Sequence, residues 1–224
     1  GEIKTKTYSY YDPLQFKTMS FVLLTNEYDS NEINLLSSTD CLLNTSTFSY
    51  TQYGELETST NANQHTTKYR YDIYGNQDLI TDALGNETTS FYDLLSRKTG
   101  VQDAYLNKTT YAYDNRDLML SKTYPDGKYE TYLYDCNWNK KQEIDRAGKR
   151  TSYAYDDNDR LLSVTNANGA VTKYKNDVMG NKLQTTMPNL NVTTYTYDVM
   201  NRLQTASDGA GHKKTYEYDV VGNK

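Results

Sequence analysis

Asp72, Asp93, Asp114, Asp135, Asp156, Asp177, Asp198 and Asp219 follow one another at a constant interval of 21 residues, and seven of the eight stand directly after a tyrosine. A further aromatic residue stands two places before that tyrosine in most units, as in Tyr69-Arg70-Tyr71-Asp72 and Tyr153-Ala154-Tyr155-Asp156. A fixed period of this length means stacked copies of one supersecondary unit, each packed on its neighbours, instead of a chain collapsed around one centre.

Aligned on the aspartate, the units share two punctuation points. Three residues after it stand Gly75, Ser96, Asp117, Trp138, Asp159, Gly180, Asn201 and Gly222, and six of these eight are Gly, Asn or Asp, the types that tolerate positive φ. Thirteen residues after it, glycine recurs in five of seven units, with Asp, Asn or Pro just ahead. Each unit therefore holds two tight turns. Between the turns lie segments of strand length in which Thr, Tyr and Val alternate without a helical stripe. In Thr151-Ser152-Tyr153-Ala154-Tyr155, residues 151, 153 and 155 share one face. Two short strands joined by short turns predict an all-β fold, a repetitive antiparallel β-hairpin meander, because parallel neighbours need long crossovers. Twist accumulated over so many strands is expected to curl the meander into a spiral sheet or partial shell.

Such a layer has no thick interior, and the composition agrees. The chain has 24 tyrosines among 224 residues, and its apolar fraction of 36% depends on them. A tyrosine ring covers area while its hydroxyl stays hydrogen-bonded. Mean hydropathy is -0.88 and no apolar run extends beyond Phe21 to Leu24, so no membrane insertion is expected. A formal charge of -5 and a pI near 5.1 argue against nucleic acid as a partner, since polyanions select clustered Lys and Arg. Gly1 to Thr7 hold no apolar stretch with a cleavage site, so the chain as given is expected to carry no signal peptide. Cys41 and Cys136 lie 95 residues apart at positions that do not recur, and make no disulfide framework.

The segments Tyr71-Asp72-Ile73-Tyr74-Gly75-Asn76, Tyr155-Asp156-Asp157-Asn158-Asp159-Arg160-Leu161 and Tyr197-Asp198-Val199-Met200-Asn201-Arg202-Leu203 resemble the Rhs or YD (tyrosine-aspartate) repeat family. The register covers Tyr69 to Lys224 and reaches upstream to Phe48-Ser49-Tyr50-Thr51-Gln52-Tyr53-Gly54, where Thr51 replaces the aspartate. Tyr8-Ser9-Tyr10-Tyr11-Asp12-Pro13-Leu14 and Glu27-Tyr28-Asp29 look family-like but fall out of phase. The expected organisation is irregular or degenerate repeats over residues 1–47, then a YD-repeat array over 48–224 that is truncated at its C-terminal end, within the unit that begins at Tyr218. Tyr71, Asp72, Gly75, Tyr113, Asp114, Tyr134, Asp135, Tyr155, Asp156, Tyr197, Asp198, Tyr218 and Asp219 are the structural residues of the repeat on this reading.

The resemblance implies a β-ribbon that spirals into a hollow shell, as in bacterial polymorphic toxins, the cocoon components of insecticidal toxin complexes and teneurins. It implies a non-catalytic scaffold, secreted or at the cell surface and bacterial, that encloses a C-terminal toxin-like polypeptide for delivery. Its partners would be that cargo and neighbouring repeats of a longer chain. Family members that release a cargo by self-cleavage carry a D-P-x-G segment. Asp12-Pro13-Leu14-Gln15 lacks the glycine and lies at the wrong end, so no protease residue is carried over. An unpaired strand at the end of a truncated meander predicts edge-to-edge self-association.

Regular aspartates raise the question of calcium. One fixed aspartate per unit, about 9 Å from the next, cannot supply the roughly six to eight oxygens that the ion takes. The expected role is local: an aspartate opening a turn and accepting N–H bonds from residues two or three along. His65 and His212 stand alone near turns, and motifs for zinc, nucleotides or a serine nucleophile are missing. No metal, no cofactor and no catalytic residue are therefore expected. Asn44, Asn86, Asn107 and Asn191 each open a glycosylation sequon, three of them as by-products of a turn Asn placed two residues before a strand Thr. The alternative function is adhesion, because tyrosine beside Asn and Asp stacks on sugar faces. An extracellular carbohydrate- or receptor-binding module competes with the scaffold, against a single Trp and a strict Tyr-Asp register.

Overall fold

A computed structural model describes residues 2–12, 17–219 and 221–223, with side chains described for 2–7, 23–219 and 221–223. Most of Asp12-Pro13-Leu14-Gln15 thus lies outside the described residues, as do the side chains of Tyr8 to Asp12. Among the described residues there are twenty β-strands and no helix. The all-β antiparallel hairpin meander expected from the repeat is the fold observed.

The chain divides into two compact units, residues 1–110 and 111–224. The first opens with a long hairpin, Ile3–Asp12 against Lys17–Tyr28, paired from Ile3↔Glu27 to Asp12↔Lys17. From Leu35 onward it continues in strands of five or six residues, each antiparallel to its neighbour in sequence. The second unit repeats that pattern from Met119–Thr123 to the short strand Lys213–Thr215. The out-of-phase Tyr28-Asp29 segment has a simple local cause. The Asp29 N–H bonds the carbonyl of Asn34, five residues on, whereas the Asp72 N–H bonds that of Asn76, four residues on. One extra residue in the turn places Asp29 one position ahead of the 21-residue register.

The period follows from the hairpin's parts. Strand Thr66–Tyr71 has six residues, the turn 72–76 five, strand Gln77–Thr81 five and the turn 82–86 five, which together make the 21-residue unit. The ladder between these two strands carries a bulge on the five-residue strand. Tyr71 faces Gln77 and Arg70 faces Leu79, leaving Asp78 as the extra residue. The same shift recurs before Tyr50, Tyr92, Tyr134, Tyr155, Asn176 and Tyr197. The bulge keeps the Thr-Tyr-Tyr face of each unit on one side despite an odd period, since a slip of one residue would turn every side chain over.

No hydrophobic residue is buried among the described residues. Apart from the exposed Tyr129, the strand tyrosines whose side chains are described are half-buried. Stability therefore comes from paired backbone and from contacts between adjacent hairpins, not from burial in a common core.

Candidate functional site

Each turn after a tyrosine has one geometry. In the turn Asp72–Asn76, the Gly75 N–H bonds the Asp72 carbonyl at 3.1 Å and the Asp72 N–H bonds the Asn76 carbonyl at 2.9 Å. Gly75 adopts φ of 81°, the left-handed residue of a type I turn closed by a G1 bulge. Ser96, Asp117, Trp138, Asp159 and Asn201 take the same position with positive φ, although none is glycine. The aspartate side chain holds the loop from inside. Asp72 Oδ1 accepts the N–H groups of Tyr74 and Asn76 at 2.8 and 2.9 Å, and Oδ2 accepts the Asn76 amide at 2.9 Å. The N–H donors are thus two and four residues along, not two or three, because the fourth residue is the one the bulge turns inward.

The residue four places after the aspartate was not singled out in the sequence, yet its signal is there. It is Asn76, Arg97, Asn139, Arg160, Asn181, Arg202 and Asn223, and each donates to the Oδ2 of its own aspartate. In the remaining unit Leu118 stands there, and Arg116 supplies the bond to Asp114 at 2.8 Å instead. Several of these side chains also reach the next turn. Arg116 donates to the Asp135 carbonyl at 3.1 Å, Arg160 to that of Asp177 and Arg202 to that of Asp219. The Asn76 amide first, then backbone N–H groups of Asn76 and Tyr74, hold the Asp72 carboxyl below its ordinary range. At Asp156 and Asp198 the backbone N–H of the arginine four residues on is the leading cause of the same shift.

The tyrosine before the aspartate does more than cover the sheet. The hydroxyls of Tyr71, Tyr134, Tyr155, Tyr197 and Tyr218 donate to the carbonyls of Leu56, Met119, Lys140, Lys182 and Leu203, each fifteen residues back, at 2.9 to 3.1 Å. Leu56, Lys140, Lys182 and Leu203 stand beside the bulge of the preceding repeat, where ladder pairing is interrupted. Asn176, which replaces a tyrosine, makes the equivalent bond from its amide to Leu161 at 3.0 Å. Tyr113 ends strand Lys108–Tyr113 directly before the Asp114 turn. Of the thirteen residues singled out from the repeat, Gly75 bonds Asp72 within its turn, while the tyrosines reach the preceding unit at residues outside the set. They do not converge on one centre.

The second turn of each unit is a copy of the first. Asp40, Asp82, Asp103, Asp145 and Asp208 accept from residues two and four along in the same way. Where Tyr124 and Met187 replace that aspartate, Pro125 and Pro188 follow, and Asp126 and Asn189 accept the closing N–H. Three of the four sequon asparagines are held here. The amide nitrogens of Asn44, Asn86 and Asn107 donate to Asp40, Asp82 and Asp103. Cys41 and Cys136 are exposed free thiols.

Two places outside the turns gather polar groups. In the second unit Glu130 accepts from Tyr124 and Tyr132 at 2.8 and 2.7 Å, while Glu143 accepts from Tyr153 and pairs with Lys140 at 2.6 Å. The Tyr132 hydroxyl holds Glu130, and Lys140 holds Glu143, below the usual glutamate range. Neither carboxyl is poised to donate a proton near neutrality. In the first unit a cleft of about 550 Å³ lies between the turns that start at Thr51 and Asp72. Its polar groups are engaged locally: Thr51 Oγ1 with Glu55, Arg70 with Asp78 and Asp72 with Asn76. Among the described residues no group of three or more His, Cys, Asp or Glu could hold a metal ion.

From Leu35 onward the chain is a succession of such latched hairpins, a β-hairpin repeat protein. The Rhs repeat family model matches residues 141–171 and 155–190, so that stretch of the chain is similar to Rhs repeats. Among solved structures the chain is similar to one titled as the Photorhabdus luminescens Tc holotoxin pore with the mutation TccC3-D651A. The TM-score there is 0.61 at 16% identity, over 99% of this chain and 14% of that one. A crystal structure titled TcdB2-TccC3 also matches, with a TM-score of 0.49 at 14% identity, over 98% of this chain and 18% of the other. The chain therefore spans about a seventh of the length of the first of these structures. No curated protein matches it.

Proposed function

We propose that this ribbon is a stretch of non-catalytic wall, part of a secreted bacterial shell that encloses a polypeptide cargo of the toxin-like kind. The observation that carries the reading is the self-sufficiency of the repeat. The turn aspartates spend carboxylate oxygens inside their own loops, the repeat tyrosines spend hydroxyls on the preceding hairpin, and no hydrophobic residue is buried among the described residues. Such a layer offers reactants no pre-organised acid or base, but it makes a stiff sheet that can be lengthened one hairpin at a time. The fold shared with the Tc holotoxin structure supports the comparison with a shell.

The test is limited proteolysis of the full gene product that carries these repeats. Polypeptide outside the repeats is expected to resist protease under native conditions and to be cut once denaturant opens the repeats. Equal cutting rates with and without denaturant would leave a scaffold that encloses nothing.

A further inference from the structure

Arginine fills the gaps between several consecutive tyrosine-side turns of the second unit. Arg160 joins the Asp156 carboxylate at 2.7 Å to the Asp177 carbonyl, and Arg202 joins the Asp198 carboxylate at 2.7 Å to the Asp219 carbonyl at 3.3 Å. Arg116 does the same between Asp114 and Asp135, at 2.8 and 3.1 Å. Each guanidinium has an anion on one side and a turn carbonyl on the other, and its planar fork serves both at once.

The gap between the turns that start at Thr51 and Asp72, in the first unit, lacks the cation. Glu55 stands where Arg160 and Arg202 stand, four residues into its turn. Its Oε2 accepts the Thr51 hydroxyl at 3.2 Å, while Oε1 lies against the next turn, so close that a β-carbon on Gly75 would meet it at 3.3 Å. The Asp72 carbonyl accepts the Gly75 N–H at 3.1 Å. Among the described residues no side chain adds the second bond that the carbonyls of Asp135, Asp177 and Asp219 receive. Glu55 is half-buried and, among the described residues, pairs with no cation. Glu57 beside it has only the Ser49 hydroxyl, at 3.5 Å, and Arg70, which also lines the cleft, is spent on Asp78 through Nε and Nη2.

The space left is that of a missing side chain. Arg160 lines two separate cavities of about 250 and 330 Å³, whereas the Thr51–Asp72 gap is a single cleft of about 550 Å³. Tyr53 stands at its rim with 81% of its surface exposed. Tyrosine rings of this ribbon already carry guanidinium groups, Arg146 over Tyr124 at 4.4 Å and Arg202 over Tyr218 at 4.7 Å.

We propose that this cleft binds an arginine side chain presented by a second polypeptide, with the guanidinium bridging the Glu55 carboxylate and the Asp72 carbonyl beside the Tyr53 ring. The incoming arginine supplies from outside the tie that Arg160 and Arg202 supply from within. Lysine is disfavoured because a point charge cannot donate in one plane to two acceptors as the fork does. The assignment does not depend on whether the ribbon encloses a cargo.

The test is a titration of the chain with a capped tripeptide, glycyl-arginyl-glycine, followed through backbone amide chemical shifts. Saturable shifts are expected at Gly54, Glu55 and Gly75, with a Kd on the order of 1 mM at low salt that weakens as salt is added. The same peptide with citrulline, of equal shape and no charge, is expected to bind about tenfold or more weakly. Glu55→Gln keeps the shape and an acceptor for Thr51, and is expected to cost a similar factor. Thr51→Asp with Glu55→Arg rebuilds the pair that Asp156 and Arg160 make, fills the cleft from within, and is expected to abolish binding while the melting temperature rises. Melts at or above the wild-type midpoint establish that the variants fold. Equal affinity for the arginine and citrulline peptides, unchanged binding by Glu55→Gln, or no saturable shift up to about 10 mM peptide would each overturn the proposal. Calcium that displaces the peptide more strongly than sodium does at equal ionic strength would overturn it too, in favour of a metal site.

Discussion

Leu190 sits at φ of 65° in the turn position that glycine holds in five sister turns, from Gly85 to Gly211. A left-handed conformation costs a side-chain-bearing residue roughly 1–2 kcal/mol, and the exposed Leu190 side chain recovers little of it. Leu190→Gly is expected to raise stability by about 0.5–1 kcal/mol, net of the entropy glycine loses on folding. The urea midpoint should rise at an unchanged m-value. The tyrosine latch makes the opposite case. Tyr155→Phe keeps the ring and removes only the bond to the Lys140 carbonyl beside the bulge, which leaves that carbonyl short of a partner. The expected loss is about 1 kcal/mol, read in the same titration. A loss near zero would mean that water replaces the hydroxyl.

At the scale of the hairpin, both turns and the two strands between them were legible. Glycine, asparagine and aspartate at fixed offsets mark where positive φ is required, and the alternation of Thr and Tyr marks the strands between. Two things were not legible. The bulge leaves no residue-type mark, because Asp78, Lys141 and Leu162 share no chemistry at the bulged position. The acceptors of the tyrosine hydroxyls are backbone carbonyls, which every residue has. The partner of Oδ2 could have been found, since Asn or Arg stands four residues after most of the aspartates. It was missed because an aspartate that opens a turn is ordinarily satisfied within three residues, and here the bulge carries the loop one residue further.

Across the whole molecule the turn carboxylates act together. Those of Asp72, Asp82, Asp156, Asp198 and Asp219 are all held below the ordinary range by hydrogen bonds within their turns. A folded-state pKa lower than the unfolded one contributes stability that is complete above the unfolded value and is lost as pH falls through the folded one. The melting temperature is therefore expected to hold from neutrality down to about pH 4 and then to fall steeply, since many turns protonate together. The alkaline side has its own limit. Burial first, and then Glu143, raise the Tyr153 hydroxyl, while Glu143 raises Lys140. The folded chain keeps these protons longer than the unfolded chain does, so stability should decline above about pH 10. Calorimetry across pH checks both limbs, and a flat acid limb would mean that the carboxylates contribute little.

The hairpin and the position of each turn were determined by the sequence alone, because turn chemistry is local and a 21-residue rhythm repeats that chemistry at every step. The satisfaction of the bulge carbonyls and the ties from one turn to the next were decided by tertiary structure. Each of these depends on which residues of different hairpins come within hydrogen-bonding or packing distance, and that distance is set by strand pairing and bulges that bring together residues fifteen or more positions apart in the chain.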